Sequence, residues 1–288
     1  MTNANGAVPS YVLNRDELAS TRLTLQHFAM IKWQSWMLHP DIQHALSNTP
    51  HPKIADLASG NGIWGIELAE QLPSAEILCT DISDEQFPAP LARPSNTKFE
   101  VADLFEPPPQ NYVGYYDVVH LRLTVGWLLD RNWRVLLRNV LSMLKPGGWI
   151  QWEEVTAAPS KNGTSGPMWL IDSDWTMTRG CLPHMEKTMK STGMWTAIEW
   201  VHTLPEVFKQ YGLQDVATFE PKPRSSVLQP QKELLRWFLI EIAETMVKNG
   251  RAEAKEQLAS DLEEFDNFYK SGKAVTYGWC VALGRKPL

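Results

Sequence analysis

Three glycines and three acids stand out by position. Gly60, Gly62 and Gly65, within LASGNGIWGIELA at 57–69, have the spacing G-x-G-x-x-G, a turn that lets backbone approach a cofactor before opening into a helix. Asp56 lies just ahead of that turn, Asp81 closes AEILCTD (75–81), and Asp103 lies near the end of KFEVADL (98–104). A carboxylate at Asp56 is a poor neighbour for the pyrophosphate of NAD and a good one for an ammonium group, such as the methionine end of S-adenosylmethionine (SAM) offers. Asp81 can accept from ribose hydroxyls, a need shared by NAD and SAM, and Asp103 is placed to meet an adenine amino group.

The elements that hold these residues alternate. KIADLAS (53–59) reads as a first strand running into the glycine turn, and the helix after it stops before Pro73. Strands follow at 75–81, 98–104 and 115–121 (YYDVVHL), then a helix at about 131–144, a KPGG turn at 145–148 and a fifth strand, WIQWEEV. Strands alternating with helices predict an α/β fold with a doubly wound, Rossmann-like sheet, whose ligands sit beyond the carboxyl ends of its strands. A helix over 16–38, ending at His39-Pro40, precedes the first strand. Residues 156–200 are rich in Gly, Ser, Pro, Trp and Met and read as an inserted lid. A helix at 204–211, a strand at about 213–220, helices at 231–249 and 253–270, and one last strand, AVTYGWCVALGRK, complete the chain.

Composition narrows the function classes. The 288 residues carry 27 Lys+Arg against 33 Asp+Glu, a net charge of −6, which argues against a nucleic-acid partner. No secretory signal and no membrane-length apolar run is visible, so the expectation is a cytoplasmic protein with no membrane partner. Cys79, Cys181 and Cys280 are too widely spaced for a zinc site, and no metal is expected. DLEEFD (261–266) reads as a solvated helix face, and the Asn162-Gly-Thr164 sequon as a loop turn. Of 13 tryptophans, Trp169, Trp175, Trp195 and Trp200 crowd the lid, where they could form an aromatic substrate pocket or pack the core. The stripe Leu234, Leu235, Phe238 and Ile242 is read as core packing, with a homodimer contact as the alternative.

ADLASGNGIWGIELA, CTDIS, FEVADLF, YYDVVHLRL and LKPGGWIQWEE, in that order, resemble the motifs of class I SAM-dependent methyltransferases over residues 50–155. ELASTRLTLQHF, LHPDI and the H-x-R after strand four further resemble fungal secondary-metabolite methyltransferases, a group that includes a global regulator. The resemblance implies a seven-stranded sheet with an N-terminal helical cap at 1–45 and a methyltransferase domain at 46–288. That domain would carry the lid at about 156–202 and a helical insertion at about 229–271. It also implies that Asp56, Ala58, Ser59 and Gly60 surround the methionine moiety and ribose, and that Asp81 and Ile82 hold ribose and adenine. Asp103 and Leu104 would cap the adenine, and His120 would sit beside the sulfonium. Ala58 departs from the pattern, since many members carry glycine there; a positive φ at this alanine would cost roughly 1 kcal/mol.

The expected reaction is O-methylation of a small molecule, aromatic or polyketide-like, at a hydroxyl or carboxylate. Alternatives are SAM-assisted pericyclic or isomerising chemistry and a methyltransferase-like regulator. HLRL follows strand four where DNA amino-methyltransferases carry an N/D-P-P-Y-like motif, which excludes that class. A hydroxyl acceptor gains from a base, and the candidates are His27, His120 and His184, with Glu153 or Glu154, one of which faces the active site. A carboxylate acceptor needs no base and would instead be held by Arg122 or Arg179.

Overall fold

A computed structural model describes residues 15–128, 132–156, 166–191, 198–248 and 250–288. Trp195 and the sequon at 162–164 lie outside the described residues. Strands β1 (Lys53–Leu57), β2 (Glu76–Asp81), β3 (Thr97–Val101), β4 (Tyr116–Arg122) and β5 (Leu144–Val155) are mutually parallel, in spatial order β3-β2-β1-β4-β5. The sheet ends with β10 (Trp279–Arg285), antiparallel to both β5 and β8 (Gln214–Phe219). The result is a seven-stranded sheet of order β3-β2-β1-β4-β5-β10-β8. Nearly continuous apolar runs in β1, β2 and β4 follow from burial on both faces.

Each face has its own core. On one, α4 (Trp133–Met143) presents Leu136, Leu137, Val140 and Leu141, at helical spacing, to Leu57, Val119, Leu121 and Trp152. On the other, α1 (Glu17–Gln34) and α3 (Ile63–Gln71) bring Met30, Trp33, Trp64 and Leu68 against Ile54, Ile77 and Val118. Asp16 caps α1 by accepting from Ala19 N at 2.9 Å. That helix stops at Gln34 because Ser35 turns left-handed, with φ +72°. His39-Pro40 therefore does not end α1: Pro40 opens the next helix, α2 (Pro40–Leu46), at the one position where its missing N–H is harmless.

The segment expected as a loop-rich lid is more ordered than its composition predicts. It contains β6 (Met168–Ile171), β7 (Met177–Gly180) and α5 (Pro183–Ser191). The two strands pair with β9 (Ala274–Tyr277) in a three-stranded sheet of order β7-β6-β9. The expected single final strand thus breaks at Gly278. A Cβ there would overlap Arg179 Nη1 at 1.5 Å and Thr156 O at 2.6 Å, so only glycine lets the chain pass from the small sheet to the large one. After α6 (Leu204–Gln210), two long helices, α7 (Ser225–Lys248) and α8 (Ala254–Lys270), pack beside the small sheet. DLEEFD on α8 is not a solvated face. Asp261 is buried and accepts from Thr188 Oγ1 at 2.7 Å, Glu264 accepts from His184 N at 2.8 Å, and Asp266 pairs with Arg236 at 2.7 Å.

Gly65 is a packing residue. A Cβ on it would lie 2.3 Å from Cys79 Sγ on β2, so the helix can approach the sheet only with hydrogen at this position. Cys79 is buried in that contact. Gly65→Ala is expected to lower stability by about 1–3 kcal/mol in urea unfolding through overpacking. A second change, Cys79→Ala, is expected to recover most of it; additive losses in the double variant would contradict the contact.

Candidate active site

The turn after β1 is held from two sides, by the end of β2 and by α1. Ala58, Gly60 and Gly62 have φ of +54°, +59° and +71°. Ser59 N donates to Thr80 O at 2.8 Å, and Gly60 N donates to Asp81 Oδ2 at 2.8 Å, which ties the turn to the end of β2. Asn61 Nδ2 reaches α1, donating to Thr24 Oγ1 at 2.9 Å and Ser20 O at 3.1 Å. A Cβ on Gly60 would approach Leu23 Cδ1 of α1 to 2.9 Å, so this turn and α1 close on each other. Burial raises the Asp81 pKa above the ordinary carboxylate value, and hydrogen bonds from the Gly60 and Ser83 backbone partly offset it.

Behind the turn lies a buried charged cluster. Asp56 and His120 are neighbours across β1 and β4, and His120 Nδ1 meets Asp56 Oδ1 at 2.8 Å. His120 Nε2 lies 3.6 Å from Glu153 Oε1 on β5, and the imidazole stacks on Trp64 with centroids 3.7 Å apart and planes at 8°. Burial alone would lower the His120 pKa; Asp56 and Glu153 outweigh it and hold the ring protonated above the ordinary imidazole value. Burial opposes ionisation of Glu153 too, yet His120 and Arg122 bring its pKa below the ordinary range. Gln34 and Gln151 donate to Glu153 Oε1 at 3.1 and 2.6 Å, and Trp279 donates to Gln34 Oε1 at 3.1 Å.

Next to it, Arg122 Nη1 and Nη2 donate to His27 Nδ1, each at 3.2 Å, while His27 Nε2 donates to Glu67. Burial, then the charges of Arg122 and His120, lower the His27 pKa to about 2. His27 is therefore neutral with both ring nitrogens engaged.

Glu154 faces the opposite side of β5. It is fully buried and accepts at Oε1 from Thr124 N (2.5 Å), Thr124 Oγ1, Val125 N (3.2 Å) and Trp152 Nε1 (3.1 Å). Burial pushes its pKa up to about 7 despite these donors. Its role here is to fix the turn that follows Leu123, itself left-handed at φ +56°.

One cleft runs past these groups. The expected cofactor residues Asp56, Ala58, Ser59, Gly60, Asp81, Ile82, Asp103 and Leu104 all line its polar half. His120 is 0% exposed and stands behind Asp56 rather than in the cleft. Asp56 Oδ2 and Ser59 Oγ are buried without a hydrogen-bond partner among the described residues, so the end that would meet a polar ligand is already desolvated. The other half is apolar, walled by Trp127, Met168, Met185, Met189, Phe238 and Ile242. The stripe on α7 thus both packs the core, through Leu235, and walls the cleft, through Phe238 and Ile242.

Of the expected bases, His27, His184 and Glu154 are absent from the lining, and His184 is exposed on α5. Arg122 lines the cleft, whereas Arg179 lies over Trp169, beside Glu220. The lid tryptophans do not form the pocket among the described residues. Trp200 stacks on Trp133 at 4.6 Å in the core, Trp175 is exposed, and Trp64 and Trp127 are the tryptophans on the wall. Sequence reasoning missed Arg22 and Gln26, which line the cleft beside Asn61 of the turn. The four-residue spacing of Arg22 and Gln26 on a helix preceding the glycine turn was the available signal. Arg22 is pinned by a buried ion pair with Glu241 of α7 at 2.5 Å.

Comparison with known proteins agrees with this geometry. Residues 55–150 match the family described as a methyltransferase domain. That match spans the glycine turn and the carboxyl ends of β1 to β4 that frame the cleft. It is 32% identical over 145 residues to the N-methyltransferase tcpN of Claviceps purpurea, covering 49% of this chain and 50% of that one. It is 34% identical over 125 residues to the secondary metabolism regulator LAE1 of Hypocrea atroviridis, covering 43% and 35%. The chain spans about half the length of the curated relatives it matches. A Bacillus halodurans crystal structure described as a methyltransferase superposes with a TM-score of 0.51 at 13% identity, covering 86% of this chain and 98% of that one, and shares the fold. No helix among the described residues is long and apolar enough to cross a membrane.

Two variants probe the site's wiring. Ala58→Gly relieves a left-handed alanine and is expected to raise stability by about 0.5–1 kcal/mol in urea; no gain would contradict the strain. Glu154 has a folded pKa above its unfolded value, so its contribution to stability is complete below the unfolded carboxylate pKa and is lost as pH rises towards about 7. Glu154→Gln removes that titration. The variant is expected to gain stability on the wild type between pH 4.5 and 7, and parallel pH profiles would count against a raised pKa.

Proposed function

We propose that the protein is a SAM-dependent methyltransferase acting on an apolar small molecule of the secondary-metabolite kind, with nitrogen as acceptor. The observation that carries it is the turn Ala58–Gly62 held by Asp81, with Asp56 and Asp103 at neighbouring strand ends of one cleft. Asp56 Oδ2 and Ser59 Oγ would receive the amino-acid end, Asp81 the ribose hydroxyls, and Ile82, Asp103 and Leu104 the adenine. The cofactor supplies an already activated methyl group, so the chain's task is alignment and exclusion of water.

The hydroxyl acceptor expected from sequence has less support. A hydroxyl needs a base, and among the described residues no histidine or glutamate lines the cleft. A neutral amine attacks through its lone pair and releases its proton afterwards, which needs no such group. The likeness to tcpN, named an N-methyltransferase, supports the same reading. A second reading, a SAM-binding regulator, is favoured by the likeness to LAE1. It predicts cofactor binding to a protein whose apolar half binds no small molecule.

Calorimetry with S-adenosylhomocysteine, the demethylated cofactor, is expected to show one saturable site, weakened at least tenfold in Asp81→Ala. Absence of heat with it, together with saturable NAD binding, would overturn the assignment.

A further inference from the structure

The apolar half of the cleft holds a hydroxyl with no hydrogen-bond partner among the described residues, on Tyr277 of β9. Thr188, the other hydroxyl on this side, is spent on Asp261 at 2.7 Å. Tyr277 is only 7% exposed, and its side chain is part of the cleft wall. Its position follows from the break at Gly278. Gly278 N bonds Pro167 O at 2.5 Å and Thr156 N bonds Gly278 O at 3.0 Å, which turns the chain out of the large sheet and leaves β9 paired with β6. Tyr277 then lies opposite Met168 in the small sheet, with Phe238 of α7 edge-on at 6.5 Å and 83°.

We propose that the Tyr277 hydroxyl is the hydrogen-bond donor that holds the methyl acceptor, a ring-bearing apolar molecule, by a polar atom other than the nitrogen that is methylated, between Met168, Met185, Met189 and Phe238. The inference rests on the methyl-transfer reading of the cleft. Thioethers against a phenyl ring make a soft wall suited to a flat aromatic body, and they offer that body no directional contact. A single polar group in such a wall fixes orientation, as in small-molecule sites generally. Burial raises the Tyr277 pKa well above the ordinary phenol value, so the group keeps its proton and donates; it is a positioning residue, not a base. Phenylalanine would fill the same core space against Leu235, Phe265 and Val275, so packing alone does not call for the hydroxyl.

The test compares 2-naphthol with naphthalene by calorimetry on protein saturated with S-adenosylhomocysteine. The wild type is expected to prefer 2-naphthol about tenfold, the worth of one hydrogen bond. Tyr277→Phe is expected to lose that preference while its affinities for naphthalene and S-adenosylhomocysteine stay unchanged. A preference that survives in Tyr277→Phe, or a wild type that binds neither ring, would overturn the proposal. Failure of the wild type to bind S-adenosylhomocysteine contradicts the methyltransferase reading instead, and the same titrations record it separately.

Discussion

Everything at the carboxyl ends of the central strands depends on one buried imidazolium. His120 sits between Asp56 and Glu153, all three at most 3% exposed, with the indole of Trp64 flat against the ring. Desolvating an ion costs several kcal/mol, so none of the three charges is tolerable alone; together with Arg122 they balance. The balance draws in the surroundings. Trp64 sets α3, and Gln34, accepting from Trp279, joins α1 to β10. The parallel register that puts Asp56 beside His120 and Arg122 beside Glu153 is therefore an electrostatic requirement as well as a hydrogen-bonding one.

From that cluster the two halves of the cleft follow. Strand ends and the left-handed turn build the polar half, where backbone N–H groups and carboxylates converge. The small sheet, α5 and α7 build the apolar half from methionine, phenylalanine and isoleucine. The ion pair Arg22–Glu241 latches α1 to α7 across the top. This division suits the proposed methyl transfer, in which a sulfonium loses its charge as the methyl moves. The donor side needs fixed polar groups, while the acceptor side needs alignment in a dry space.

Much of this was legible in the sequence, because the signals were local. The glycine turn, the acids at 56, 81 and 103, and the strand–helix alternation each occupy a few consecutive residues, and the structure brings all three acids to one cleft. Where a residue's role depends on a distant partner, the reading failed. Gly65 read as part of the turn motif until Cys79, fourteen residues on, was placed against it. Gly278 sat unremarked within an apolar strand because Arg179 and Thr156 supply the crowding that requires it. Alternation showed that Glu153 and Glu154 face opposite ways but not which face holds His120. Asp261 and Glu264 looked solvated because their partners, Thr188 and the His184 amide, lie on another helix. Tryptophan count left pocket and core packing both open for the lid, while the wall uses thioethers, whose irregular packing leaves no period to read.

The buried imidazolium is the claim most open to direct measurement. Nitrogen-15 NMR of histidine-labelled protein, titrated upward from pH 6 with and without S-adenosylhomocysteine, reports the state of each of the seven rings. His120, identified by the signal lost in His120→Gln, is predicted to keep both ring protons beyond the ordinary imidazole value and to shift when the ligand meets Asp56. A neutral His120 ring, unmoved by the ligand, would contradict both the charge balance and the cofactor end built upon it.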